Sequence, residues 1–407
     1  MKIRTITCFY NPILPDSSKT LDQIIRLIDK TRTRLNKLGF EVQTVRLATI
    51  PFPFLARTLA IDDVLGVLVP LEKLLLERGF DYVSFGPAIP EFPKSYEILP
   101  ALLRSTQGAF FSAVIASNQQ VYLKAIRAAA QVVAEAATIT PDGFTNLRFT
   151  ASANVPPNGP FFPAAYHLGD EPAFSLAIES ADLAVTEFTR ADNLQNARHM
   201  LLRSIHQHAA RIKAITSETA AEFCIPCKGF DFSLAPYPVD ECSLGGAIEK
   251  LGLSSIGQMG SLAAAAFVAD TLDQGEWDKA GFNGLMLPLL EDSMLAQRSI
   301  DGTLTIKDLL LYSAVCGTGL DTVPIPGDVS AGQIAAIMTD VAALSSRLAK
   351  PLTARLMPVP GKKAGDLTTF DFEFFKNGRI LDVPSASLSG FLAQDEVMEI
   401  QPRKRGL

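Results

Sequence analysis

The stretch Ile3-Arg-Thr-Ile-Thr-Cys8, the run 21–38 and the stretch Glu41-Val-Gln-Thr-Val-Arg-Leu47 read in order as strand, helix and strand. The outer two alternate apolar and polar residues. The middle run places Ile24, Ile25, Leu27, Ile28, Leu35 and Leu38 near the helical period before Gly39 stops it. The same alternation continues outward. A helix over 62–78 ends at Gly79 ahead of a strand over 82–85. Strand 110–116, helix 119–136 and strand 147–153 follow, then a weaker strand-like run over 183–187 and a long helix over 193–223. Beyond it come strands over 230–234, 285–289, 320–325 and 353–359, with helices over 261–272, 306–315 and 331–348 among them. About ten strands interleaved with helices predict an α/β protein, a largely parallel sheet or barrel covered by helices. One domain over 1–407 is expected, because no repeat, charge block or low-complexity linker divides the chain.

Composition removes several classes of function. With 37 Lys and Arg against 43 Asp and Glu, the net charge of −6 offers no basic face for phosphates, so nucleic acid is excluded as a partner. The apolar runs 64–69 and 262–268 fall short of the roughly 20 residues that span a membrane. The start of the chain has no apolar signal core, and the cysteines number five, an odd count. Reduced thiols in a cytoplasmic protein are expected. The expected partners are a small-molecule ligand and a second copy of the chain in a homodimer.

In parallel α/β folds ligands bind beyond the carboxyl ends of the strands, so the residues following each strand are the candidates. Asn11 follows the first. Asn154 and the loop Phe161-Phe-Pro-Ala-Ala-Tyr-His167 follow strand 147–153. Asp231 and Ser233 lie on strand 230–234, and Glu291-Asp292 follows strand 285–289. Cys316-Gly-Thr-Gly-Leu-Asp321 enters strand 320–325, which runs into Pro324-Ile-Pro-Gly-Asp328. Catalytic roles fall to Cys316, Asp321, His167 and Glu291, and substrate contacts to Asn11, Asn154, Phe161, Phe162, Ser233 and Thr318. Asp231, Asp292 and Asp328 are the oxygen ligands for a divalent cation, Mg²⁺ or Ca²⁺. Each has a structural alternative. Cys316 also fits a small buried hydrophobe at a helix end, Gly317 and Gly319 a cap and turn, and Asp328 and the Glu291-Asp292 pair helix caps.

Other motifs point away from metal and redox chemistry. His199 and His206 share a helix face but lack the i, i+4 spacing of a helical zinc pair. Cys224-Ile-Pro-Cys227 follows the carboxyl end of a long helix, the wrong pole for lowering a thiol pKa.

Five segments carry a resemblance. They are Ala153-Asn-Val-Pro-Pro-Asn-Gly-Pro-Phe-Phe-Pro-Ala-Ala-Tyr-His167, Ala177-Ile-Glu-Ser-Ala-Asp182, Gly229-Phe-Asp-Phe-Ser-Leu-Ala-Pro236, Gly284-Leu-Met-Leu-Pro-Leu-Leu-Glu-Asp292 and Cys316-Gly-Thr-Gly-Leu-Asp-Thr-Val-Pro-Ile-Pro-Gly-Asp328. In this order the chain resembles the families catalogued as domain of unknown function 711 and uncharacterised protein family 0210. The resemblance implies a ten-stranded α/β barrel like that of pyruvate formate-lyase and the ribonucleotide reductase large subunit, with a reactive cysteine on a loop inside it. Glycyl-radical members of that group carry an Arg-Val-x-Gly-Tyr motif near the carboxyl terminus. Here the tail reads Leu388-Ser-Gly-Phe-Leu-Ala393, so no glycyl radical is expected. The leading expectation is an enzyme acting on a small polar metabolite in a barrel pocket, through the Cys316 thiol or a carboxylate-bound cation. The alternative is a non-catalytic metabolite-binding or regulatory protein on the same barrel. Either way, Cys316, Thr318 and Asp321 should face one pocket with Asp231, Glu291 and His167.

Overall fold

The computed structural model describes residues 1–403. Its strands are β1 (Lys2–Tyr10), β2 (Val42–Thr49), β3 (Tyr82–Ala88), β4 (Ala109–Ser117), β5 (Gln120–Tyr122), β6 (Phe149–Ala153), β7 (Ala173–Glu179), β8 (Cys227–Ala235), β9 (Gly319–Pro326), β10 (Leu352–Val359) and β11 (Val397–Glu399). Its helices are α1 (Ser17–Lys37), α2 (Ile61–Glu77), α3 (Lys94–Ser105), α4 (Leu123–Ala136), α5 (Ala181–Arg190), α6 (Leu194–Phe223), α7 (Leu244–Lys250), α8 (Ser261–Asp273), α9 (Ser293–Ile300), α10 (Ile306–Tyr312) and α11 (Ala331–Leu348). All the strands belong to one mixed sheet, ordered β8-β7-β1-β2-β3-β4-β6-β10-β9, with β5 and β11 appended beside β4.

Strand direction positions the site. β1, β2, β3, β4 and β6 run parallel. β7 pairs antiparallel with β1, and β10 pairs antiparallel with β6. β8 and β9 follow their neighbours in parallel. The sheet therefore has two sets of strands running in opposite directions, and each end of the sheet carries carboxyl termini from one set and amino termini from the other.

Period-two strands give the sheet two different faces. One joins the helices in a continuous core, where Ile24, Leu27 and Leu35 of α1 share a cluster with Ile3, Ile6 and Val42. Against the other lies the 156–167 loop. Phe162 and Ala165 join Phe9, Ala48 and Phe110 there, while Phe161 and Ala164 join Ala235 and Met286. The loop is fixed by backbone and side-chain bonds. The His167 N–H donates to the Thr49 carbonyl (2.8 Å) and the Ser84 hydroxyl to the Ala165 carbonyl (2.6 Å).

Two expected strands differ. Residues 183–187 lie in helix α5, where Ala181, Ala184 and Phe188 are the buried stripe; the strand is the preceding stretch, β7. Residues 285–289 form no ladder. Pro288 has no N–H to donate and Asn283 takes a positive φ of 45°, so only isolated pairings survive. Segment 279–288 still touches both outer strands of the order. Lys279 bridges Phe230, the Met286 N–H reaches the Ser233 carbonyl (3.0 Å), the Gly317 N–H reaches the Leu285 carbonyl (3.3 Å), and Pro288 bridges Asp321. At this crossing a Cβ on Gly284 would stand 2.4 Å from the Gly317 Cα, so the glycines serve backbone passage.

After β10 the chain runs irregularly to the carboxyl-terminal segment, except for a closed loop at 368–378. Its neck is tied by Thr368 N–H to Gly378 carbonyl (2.9 Å) and Phe370 N–H to Asn377 Oδ1 (2.8 Å). Its phenylalanines, Phe370, Phe372, Phe374 and Phe375, pack against one another and against Phe144.

Candidate functional site

The helix-free face holds a cavity of about 90 Å³ at the amino-terminal ends of β1 to β4 and the carboxyl-terminal ends of β7 and β8. Period two explains the strand contributions. Thr44 and Arg46 point in from β2, Asp231, Ser233 and Ala235 from β8, and Arg4 and Arg355 from β1 and β10. Tyr82, Phe110, Phe161, Phe162 and Met286 make an apolar wall, and Phe372 and Phe374 of the 368–378 loop cover it. Register shifts next to Arg4, on β1, and next to Arg355, on β10, mark β-bulges, the device by which a strand re-aims a side chain.

The polar groups form a buried chain. Arg4 holds Glu291 through Nη2. The Arg355 Nη2 donates to the other Glu291 oxygen (3.0 Å), and its Nε donates to Asp321 Oδ1 (2.5 Å). Glu179 stands 3.9 Å from Arg4 and accepts from Gln43 (2.9 Å). Burial pushes the Asp321 carboxyl up, more than the Arg355 charge pulls it down, and Asp321 Oδ2 is buried without a partner. Burial opposes the Arg355 charge, but Asp321 and Glu291 outweigh it and raise its pKa. Glu179 is also pushed up by burial, against the pull of Arg4.

Arg46 differs from both other arginines. Its Nε donates to Thr44 Oγ1 (3.1 Å), and its guanidinium lies 5.6 Å from the Tyr82 ring centre and 5.2 Å from that of Phe162. Among the described residues no carboxylate lies within 4.0 Å of it, and its terminal nitrogens make no hydrogen bond. Burial, reinforced by the Arg4 charge, lowers its pKa to about 10, which leaves it protonated at neutral pH.

Asp231 is held by four donors. Its Oδ1 accepts from the Ser233 hydroxyl, the Ser233 N–H (3.1 Å) and the Asn283 N–H (3.1 Å), and its Oδ2 from the Phe282 N–H (2.9 Å). Burial pushes this carboxyl up against those donors.

Of the residues expected from sequence, Asp231, Ser233, Glu291, Phe161 and Phe162 line the cavity, and Asp321 adjoins it through Arg355. The rest do not, and the opposed strand directions explain most of them. Cys316 and Thr318 precede β9, at the opposite end of the sheet. Cys316 is 2% exposed, its carbonyl accepts from Lys350, and the Thr318 hydroxyl donates to the Leu285 carbonyl (3.2 Å). Asn11 also belongs to that end, bonded to Asp170 (3.1 Å). Asn154 bonds to Ser345 (2.8 Å) and faces a separate surface hollow with Tyr166 and Lys350. His167 is buried beside Phe9, its Nδ1 2.9 Å from Asn158 Oδ1 and its Nε2 without a partner. Burial, aided by the Lys228 charge, lowers its pKa to about 4.

The three carboxylates expected to hold a cation are spread apart. Asp292 caps α9, accepting from Met294 and Leu295 N–H groups (2.9 and 3.1 Å), the Ser243 hydroxyl (2.5 Å) and the Gly245 N–H (3.0 Å). Asp328 is exposed, and α11 is capped by Ser330 instead. Among the described residues no three His, Cys, Asp or Glu side chains converge as metal ligands. The loop packed against the sheet's other face, 156–167, carries phenylalanines and no cysteine. Cys224 is exposed at the end of α6, and the cysteines are all unpaired.

Sequence reasoning missed Arg4, Arg46, Arg355, Tyr82, Phe372 and Phe374. The readable signal was a lone arginine inside an apolar strand, as in Leu352-Thr-Ala-Arg-Leu-Met357. No helix among the described residues is long and apolar enough to cross a membrane.

Comparison with known proteins places the chain in a family without assigning it an activity. A UPF0210 protein of Pyrobaculum arsenaticum is 31% identical over 90% of this chain and 87% of its own length. UPF0210 proteins of Clostridium perfringens and Acetivibrio thermocellus are 26% and 25% identical, over 91% and 97% of this chain and 88% and 92% of theirs. The model of the family described as Uncharacterised ACR (DUF711) matches residues 1–376, and the chain belongs to that family.

Proposed function

We propose that this protein binds a small anionic metabolite in the cavity beside Arg46, inside a sheet rolled into a barrel. The barrel reading is supported by segment 279–288, which contacts both outer strands of the order. It is supported also by the phenylalanine-rich loop buried against the helix-free face.

The observation that carries the binding reading is the Arg46 guanidinium. Arg46 is half-buried, so its charge is partly desolvated, and its guanidinium meets only a hydroxyl and two ring faces. An incoming anion supplies the missing acceptor, and hydrogen bonds to a charged group contribute about 1.5–3 kcal/mol each. Arg4 and Arg355 already have carboxylate partners, so Arg46 is the anchor. If the bound molecule is turned over, the cavity-facing groups available for proton transfer are Ser233, with Asp231 behind it, and Glu291. Cys316 lies at the other end of the sheet, so the cavity reading does not use its thiol.

A thermal-shift screen of small carboxylates and inorganic anions tests the proposal, since a ligand stabilises the state it binds. Stabilisation by at least one anion, abolished in Arg46→Met, is expected. Stabilisation that survives Arg46→Met would place the anion elsewhere and overturn the reading. Incubation of each hit with enzyme and mass detection of product separates an enzyme from a binder.

A further inference from the structure

We infer that the ligand is a monocarboxylate with a short apolar body, and that the cavity discriminates against phosphates and dicarboxylates. This rests on the anion-binding reading and sharpens it.

Charge sets the first limit. Arg4 and Arg355 are matched by Glu291, Glu179 and Asp321, all within 4.0 Å of one or the other. Asp231 adds a further acidic group to the wall. Arg46 alone is unmatched. One negative charge neutralises it, while a second would sit in a low-dielectric space already crowded with carboxylates and pay the desolvation cost with no cation to offset it.

Size and wall chemistry set the second. A cavity of about 90 Å³ suits a ligand of few heavy atoms better than a nucleotide or a sugar phosphate. Away from Arg46 the wall includes Phe110, Phe161, Met286, Phe372 and Phe374, and the other lining arginines, Arg4 and Arg355, already hold carboxylates. A phosphate presents acceptors on every side and would leave most of them unpaired there. A carboxylate presents both acceptors at one end, matches the planar fork of a guanidinium, and turns an apolar remainder to the rings.

Calorimetry on the full chain tests this with four probes: isovalerate, its neutral amide isovaleramide, succinate and inorganic phosphate. Isovalerate is expected to bind at least about tenfold more tightly than each of the others. Arg46→Met should remove that binding, and Phe374→Ala, which leaves the anchor in place, should weaken isovalerate more than phosphate. Urea unfolding of both variants checks that each remains folded. Tight succinate or phosphate binding that is lost in Arg46→Met would overturn the monocarboxylate inference and leave the anion cavity standing. Isovaleramide binding equal to isovalerate, isovalerate binding unchanged in Arg46→Met, or no binding by any probe would overturn both.

Discussion

Replacing Arg355 by Met tests the buried charged chain most severely. The substitution keeps an unbranched side chain of similar reach and removes the only group among the described residues that touches both Asp321 and Glu291. Glu291 would keep Arg4, whereas Asp321 would keep nothing, since its Oδ2 is already without a partner. Breaking one partner out of a buried pair costs about 3–5 kcal/mol. With an unfolding entropy near 2.1 cal/mol/K per residue, that corresponds to a midpoint fall of roughly 4–6 °C.

The pH dependence has a definite sign. The folded-state pKa of Asp321 is already raised by burial against the pull of Arg355. Removing Arg355 raises it further, so the folded variant binds more protons than the unfolded chain above pH ~4. The deficit should therefore be largest at neutral pH and shrink as the pH falls towards the unfolded carboxylate value. Urea titrations of both proteins at pH 7.5 and 5.5 measure it, and Asp321→Asn added to Arg355→Met should recover part of the loss. A deficit below about 1 kcal/mol, or one that grows on acidification, would refute a buried pair.

Three further outcomes are expected. Gly284→Ala should destabilise by about 3 kcal/mol or more in chemical unfolding, because its Cβ meets the Gly317 backbone at 2.4 Å and nothing flexible lies there to yield. Brief iodoacetamide treatment followed by peptide mapping should find Cys224 alkylated first and Cys8, Cys242 and Cys316 protected; rapid labelling of Cys316 would contradict its burial. His167 should stay neutral down to near pH 4 in an NMR titration. Its contribution, on the order of 1–3 kcal/mol, should be intact above pH ~6.5 and lost as the pH falls towards 4; His167→Gln should remove that slope.

The alternating elements were legible because hydrophobic period is a local property. α11 is legible to the residue at both ends, and β1, β2, β8 and β10 to within a few residues. Strand direction is not local. Treating every carboxyl end as one site collected Asn11, Asn154 and His167 from one end of the sheet with Asp231, Ser233 and Glu291 from the other. The aromatic loop was found through its composition, and Phe161 and Phe162 do line the cavity. The arginines were passed over because attention fell on loops, although a charge within an apolar strand must face a partner or a cavity. Gly317 reads from sequence as part of a cap and turn, and only the crossing with Gly284, distant in sequence, reveals its close backbone passage.

The members of the charged chain stand at positions 4, 291, 321 and 355. At a synthesis rate of about 5–20 residues per second, β10 leaves the ribosome roughly 20–70 s after β1. Until then the chain from Arg4 through Glu291 to Asp321 lacks Arg355, the link that joins the two carboxylates. The strand that begins the sheet must wait for its charge partners across nearly the whole chain, a long-range closure of the kind that slows folding. The cavity proposed to hold an anion draws its wall from residues as far apart as Arg4 and Phe374, so it is complete only once nearly the whole chain has been made.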